Sequence, residues 1–102
     1  MEPDCRKITK EILPAIRAAI TDIMAAQYHY RQIDIAGKLG IVQVAVSKYL
    51  NQKYSERVAE IKRYILQRDL VRSIVNSIVD NSSRDDIDKQ INALCARLSA
   101  TL

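Results

Sequence analysis

An all-helical fold is what this chain predicts, on three observations. Apolar residues make up 48% of the 102 positions, they recur at spacings of three and four along most of the length, and only two glycines and two prolines are present to break helices. A chain this long can close one compact core and is too short for two independent ones, so residues 1–102 are expected to form a single domain. About five to seven helices of ordinary length fit into it.

The first helix is expected from Asp4 to Tyr28, where Ile8, Ile12, Ile16, Ala19, Ile20, Ile23 and Met24 mark one buried stripe. Pro14 interrupts it, because proline donates no hydrogen bond and biases Leu13 away from the helical region. Either a kink near Leu13 or a second helix starting at Pro14 answers that constraint. Gln27 to Arg31 then link to the next element. Their tyrosines, Tyr28 and Tyr30, and Arg31 suit either the rim of the core or a phosphate.

Gln32 to Leu50 contains two short apolar stripes. Ile35, Ala36 and Leu39 form one, Val46, Tyr49 and Leu50 the other, and Gly40 stands where the first ends. A glycine there takes the left-handed conformation that closes a helix at little steric cost. Ala36 is small enough to let a second helix cross closely, Ile41 fills the angle, and Val46 returns to the core. Small residue, turn glycine and two inward apolar residues make a helix-turn-helix pattern, whose second helix enters the DNA major groove.

Downstream, Asn51 to Tyr54 form a polar connection and Ser55 is a cap for a helix bearing Val58, Ile61, Ile65 and Leu66. The apolar pattern continues through Leu70, Val71, Ile74, Val75, Ile78 and Val79, with Gln67 to Asp69 as the candidate break between two helices. Asp80 to Ser83 is a stop and start signal. Ser83, followed by Asp85, Asp86 and Asp88, suits the positive end of a last helix whose buried face is Ile87, Ile91, Leu94 and Leu98. The expected division is a helix-turn-helix core at 13–66 and C-terminal helices at 67–102. The large aliphatic side chains of 69–98 exceed what such a core needs, which points to a C-terminal dimerisation region.

The stretch Gln32 to Leu50, with LPAIRAAI upstream and AVSKYLNQK downstream, resembles the helix-turn-helix of the lambda-repressor-like (Xre-like) regulators, and most of all the small archaeal members of that class. The likeness spans about Leu13 to Lys53. One departure is Val42, which stands where the class has a Ser or Thr to cap the recognition helix.

If Val46 points inward, Gln43, Val44, Ser47 and Lys48 point outward on a recognition helix from about Gln43 to Asn51. Gln43 matches the N6 and N7 edge of adenine, and the resemblance places a base-reading glutamine there. Val44 suits a thymine methyl, Ser47 a base or phosphate, and Lys48 guanine or the backbone. Gln32, at the start of the first helix of the motif, is a phosphate contact by the same resemblance. Lys38, Asn51 and Lys53 are further phosphate candidates.

Charge is distributed in the same sense. The net charge is +4, yet residues 1–30 cancel, residues 31–68 hold an excess of five positive charges, and the remainder is at minus one. A polyanion-binding face needs such a concentration. The expected partners are therefore double-stranded DNA and a second copy of the chain, because a two-fold pair reads two half-sites roughly 34 Å apart.

Other classes have less to stand on. One histidine, His29, and no glycine-rich loop leave no nucleophile or phosphate cradle, so no enzyme and no cofactor are expected. No apolar run is long enough to span a bilayer and the start, MEPDCRK, lacks the apolar core of a signal peptide, so no membrane association and a cytoplasmic location are expected. Cys5 and Cys95 are expected reduced. Their alternative use, a metal or redox-sensing site assembled across a dimer, lacks CxxC spacing. A helical adaptor that engages a protein through the apolar C-terminal face is the remaining alternative.

Overall fold

The computed structural model describes residues 5–102, with side chains from Arg6 onward; Asp4 and the Cys5 side chain lie outside the described part. Every regular element in it is helical. A short α1 (Cys5–Lys7) runs into a π-helical stretch (Ile8–Ile12) and on into α2 (Leu13–Tyr28), followed by α3 (Gln32–Leu39), α4 (Gln43–Leu50), α5 (Glu56–Gln67), α6 (Arg72–Val79) and α7 (Arg84–Thr101).

Pro14 stands in the first turn of α2, so the second helix expected to begin at Pro14 begins one residue earlier, at Leu13, and follows the π stretch without a gap. Leu13 is right-handed helical at φ −61° and ψ −45°, and its N–H donates to the carbonyl of Ile8, five residues back. The wider π turn ahead of Pro14 relieves the crowding its ring would cause against the carbonyl four residues earlier, so the rod continues. The proline is absorbed by a local change of helical period.

Instead of the single stripe expected, α2 is buried on nearly every side. Ala15, Ile16, Ala18, Ala19, Ile20 and Thr21 are fully inaccessible, with Ile23 and Met24 close behind. Its alanines admit neighbours at short distance, and α3, α4, α5, α6 and α7 all pack against it. The hub is thus built from small residues on one side and isoleucines on the other.

The C-terminal helices correct a second expectation. Val71, Ile74, Val75, Ile78, Ile87, Ile91, Leu94 and Leu98 are all buried within the same core cluster as Ile16 and Val46. Leu70 and Val79 are half-buried against it. The aliphatic surplus of 69–98 is consumed within the chain, and no open apolar C-terminal face exists among the described residues. The Cα radius of gyration, 12.6 Å, is that of one closed bundle of this length.

Local signals behave as their chemistry requires. The Ser55 hydroxyl accepts from Val58 N–H at 3.2 Å and the Ser83 hydroxyl from Asp86 N–H at 3.1 Å, capping α5 and α7. The break after Gln67 is made by Asp69 at φ 54°, with Leu70 N–H returning to the Ile65 carbonyl at 3.1 Å. Among the described residues, no helix is long and apolar enough to cross a membrane.

The hub carries one defect: the Thr21 hydroxyl is fully buried with no hydrogen-bond partner. An orphaned buried hydroxyl costs about 1–3 kcal/mol. Thr21→Val keeps the shape and removes the orphan, so chemical denaturation is expected to show a gain of about 1 kcal/mol. A loss of stability would mean that the hydroxyl has a partner in solution.

Candidate nucleic-acid interface

α3 begins after Arg31, whose extended backbone (φ −74°, ψ 157°) turns its carbonyl to accept from Asp34 and Ile35 N–H, both at 3.0 Å. It ends at Gly40, which is left-handed at φ 68° and ψ 36°. Both Gly40 N–H and Ile41 N–H converge on the Ala36 carbonyl, the latter at 3.0 Å, which closes the helix with the six-to-one bond of a Schellman turn. Ile41 is half-buried on the core. The turn then passes through Val42, extended at ψ 150°, whose side chain forms no cap bond. α4 nevertheless starts at Gln43, with Ala45 N–H donating to the Val42 carbonyl at 3.0 Å.

One side chain anchors α4 completely: Val46 is 0% exposed. Ala45, Tyr49 and Leu50 are half-buried, so the inward face expected of Tyr49 and Leu50 is only partly covered. Gln43, Val44 and Lys48 are exposed. The apolar residues left open are concentrated here, with Ile33 at 58%, Val42 at 66% and Val44 at 61%. A helix start that presents a valine pair beside a glutamine can meet both polar base edges and thymine methyls.

The other expected contacts are placed less uniformly. Ser47 is half-buried, and Asn51, the residue that ends α4, donates from its amide to the Ser47 carbonyl at 2.9 Å and to the Ser47 hydroxyl at 3.3 Å. Asn51 therefore caps the helix, and the two side chains occupy one another. Gln32 is half-buried at the first position of α3. Lys38 donates to the Asn81 side chain at 2.7 Å and is held by the α6–α7 turn. Arg31 pairs with Asp34 at 2.9 Å, and Arg57 pairs with Glu11 at 3.4 Å and Glu60 at 3.2 Å. Asp34 and Glu60 lie within 31–68 and are already counted against it, so of these carboxylates only Glu11 draws on the positive excess of that stretch.

Lys48 and Lys53 keep theirs. Neither has a carboxylate partner among the described residues, and they share the lining of an open groove of about 310 Å³ with Lys10, Tyr49 and Tyr54. Lys10 was not legible as a site residue, since it comes from the N-terminal helix more than thirty positions earlier. Three cations along one edge of α4 form a track at which a polyanion backbone can lie. Tyr28 and Tyr30 are half-buried against the core, matching the rim reading, and His29 is exposed and left-handed at φ 58°.

The loop after α4 is tied to the hub. Lys62, 9% exposed on α5, pairs with Asp22 of α2 and donates to the Tyr54 hydroxyl at 2.9 Å. Burial alone would lower the Lys62 pKa, but the bonds to Asp22 and Tyr54 outweigh it and the net direction is upward. Cys95 is buried on α7, where loss of solvent pushes its thiol up and favours the protonated form, the reverse of a ready metal ligand or redox centre. Among the described residues, no cluster of three or more His, Cys, Asp or Glu side chains is placed to hold a metal.

No known protein family, curated protein or solved structure matches the chain.

Two outcomes follow for this region. Gly40→Ala forces a left-handed alanine and is expected to lower stability by about 1–2 kcal/mol in denaturant titrations, whereas a neutral result would contradict the turn geometry. Lys62 has its pKa raised on folding, so its contribution is present in full below the unfolded lysine pKa of about 10.4 and is lost as pH rises beyond it. Lys62→Met should flatten the alkaline limb of the stability profile above that pH; an unchanged limb would show that the pair contributes nothing there.

Proposed function

We propose that the protein is a sequence-specific double-stranded DNA-binding regulator of transcription in which α4 enters the major groove. The observation that carries this reading is the division of α4 into one fully buried residue, Val46, and an exposed edge of Gln43, Val44 and Lys48 directly after a left-handed glycine turn. An eight-residue helix fixed from behind and open in front suits a groove reader.

The residues divide by role. Gln43 reads a base edge by paired donor and acceptor, and Val44 packs on a thymine methyl. Lys48 and Lys53, with Lys10, hold phosphates along the groove edge, and Gln32 is a phosphate contact at the start of α3. Ser47 and Asn51, bonded to one another, set the end of the helix and are secondary contacts. No catalytic role, cofactor or metal enters this reading.

A pair of copies belongs to the proposal only because one short helix reads few base pairs. The apolar surplus that suggested a C-terminal dimer lies inside the chain, and the same burial removes the premise of an adaptor working through that face.

Selection from random duplex is expected to return a recurrent sequence. On that sequence Gln43→Ala should cost about 1–3 kcal/mol, while binding to unrelated duplex changes little. Lys48→Gln and Lys53→Gln should weaken both and each lower the salt slope by about 1. Equal losses on all DNA for Gln43→Ala would remove its base-reading role, and absence of binding at low salt would end the proposal.

A further inference from the structure

α2, α3 and α7 meet around an open cavity of about 230 Å³ beside the turn at Gly40. Its apolar floor includes Leu39 and Ile91, both buried. Its polar wall is made by Arg17 of α2 and by Arg84, Asp88 and Asn92 of α7. None of these four residues belongs to the DNA-facing edge of α4.

Two arginines and a single carboxylate residue, Asp88, thus line one cavity. Arg84 lies against Gly40, in the space a Cβ would occupy, and its Nε donates to Asp88 at 3.4 Å. Asp88 can offset one of the two charges. Arg17 is half-buried and has no carboxylate partner among the described residues, so the second charge is left over. Arg17 also lowers the pKa of the Cys95 thiol against the larger upward effect of burial, which places its charge close to α7.

A half-buried guanidinium without a partner, with an amide in the same wall and an apolar floor, is an arrangement that oxyanions satisfy, because the planar fork donates two parallel bonds to a carboxylate or phosphate group. At about 230 Å³ the cavity has room for a small anionic group. We propose that it binds the carboxylate or phosphate group of a small metabolite through Arg17, with Asn92 and the free nitrogens of Arg84 completing the contact. Because Arg84 rests on Gly40, the bound anion would also bear on the turn that sets α4; that consequence depends on the DNA-binding reading, whereas the site itself does not.

The test is a titration of ¹⁵N-labelled full chain with inorganic phosphate and, separately, with succinate, each referenced to sodium chloride at equal ionic strength. Saturable amide shifts at Gly40, Arg84 and Asn92, with a dissociation constant on the order of 1 mM, are expected for at least one of the two anions, and which one responds tells the phosphate from the carboxylate source. Arg17→Gln should weaken that binding by about tenfold with the rest of the spectrum unchanged, and Arg17→Lys should restore part of it. No saturable shift with either anion, equal binding by Arg17→Gln, or shifts centred on Lys10, Lys48 and Lys53 would overturn the proposal. DNA binding measured on the same samples separates failure of this site from failure of the regulator reading.

Discussion

The constraint on which the rest of the structure depends is the enclosure of α2. Isoleucines fill the space between it and its neighbours, and alanines let those neighbours come close. Because α2 touches every later helix, each later helix is positioned relative to one rigid rod. α4 gains its definite orientation this way. It is short and lacks a side-chain cap at its N-terminus, so its own hydrogen bonds would not hold it in water. Burial of Val46 against the hub, aided by the turn at Gly40, supplies what local propensity does not.

The polar bonds that cross the molecule follow the same logic. Lys62 ties the segment after α4 to Asp22 on the hub and Lys38 with Asn81 ties α3 to the C-terminal helices, while the Arg84 guanidinium packs against the turn at Gly40. The unit of α3, its turn and α4 is thereby clamped at both ends. Three of the cations left without carboxylates, Lys10, Lys48 and Lys53, gather in the groove beside α4. Their arrangement gives the net charge of +4 a direction that the sum alone does not have.

Much of this was legible in the sequence where the cause is local. Gly40 had to be a turn because a left-handed residue was needed where the stripe of Ile35, Ala36 and Leu39 ended, and Ser55 and Ser83 had to be caps because each precedes a helix whose first amides lack partners. Val46 as the inward residue of α4 followed from period alone. Effects that need a distant partner were not legible. The C-terminal aliphatics looked surplus because the capacity of α2 to bury side chains on all its faces cannot be counted from one stripe. Nothing local to Lys10 or Arg17 singles them out, and only the fold brings them to a groove and a cavity. Pro14 read as a break because the π turn that accommodates it has no sequence signature of its own.

The central claim is that the outward edge of α4 lies within reach of bases in a bound duplex. The most direct measurement places a photoactivatable crosslinker on Val44→Cys and on a control cysteine at Ala100 of α7, both exposed, in a chain whose other cysteines are replaced by serine, and maps adducts on a selected duplex. The account predicts adducts to bases in the major groove from position 44, falling as salt rises, and none from position 100. Adducts of equal yield from both positions, or none from position 44 under conditions where the duplex is bound, would contradict it.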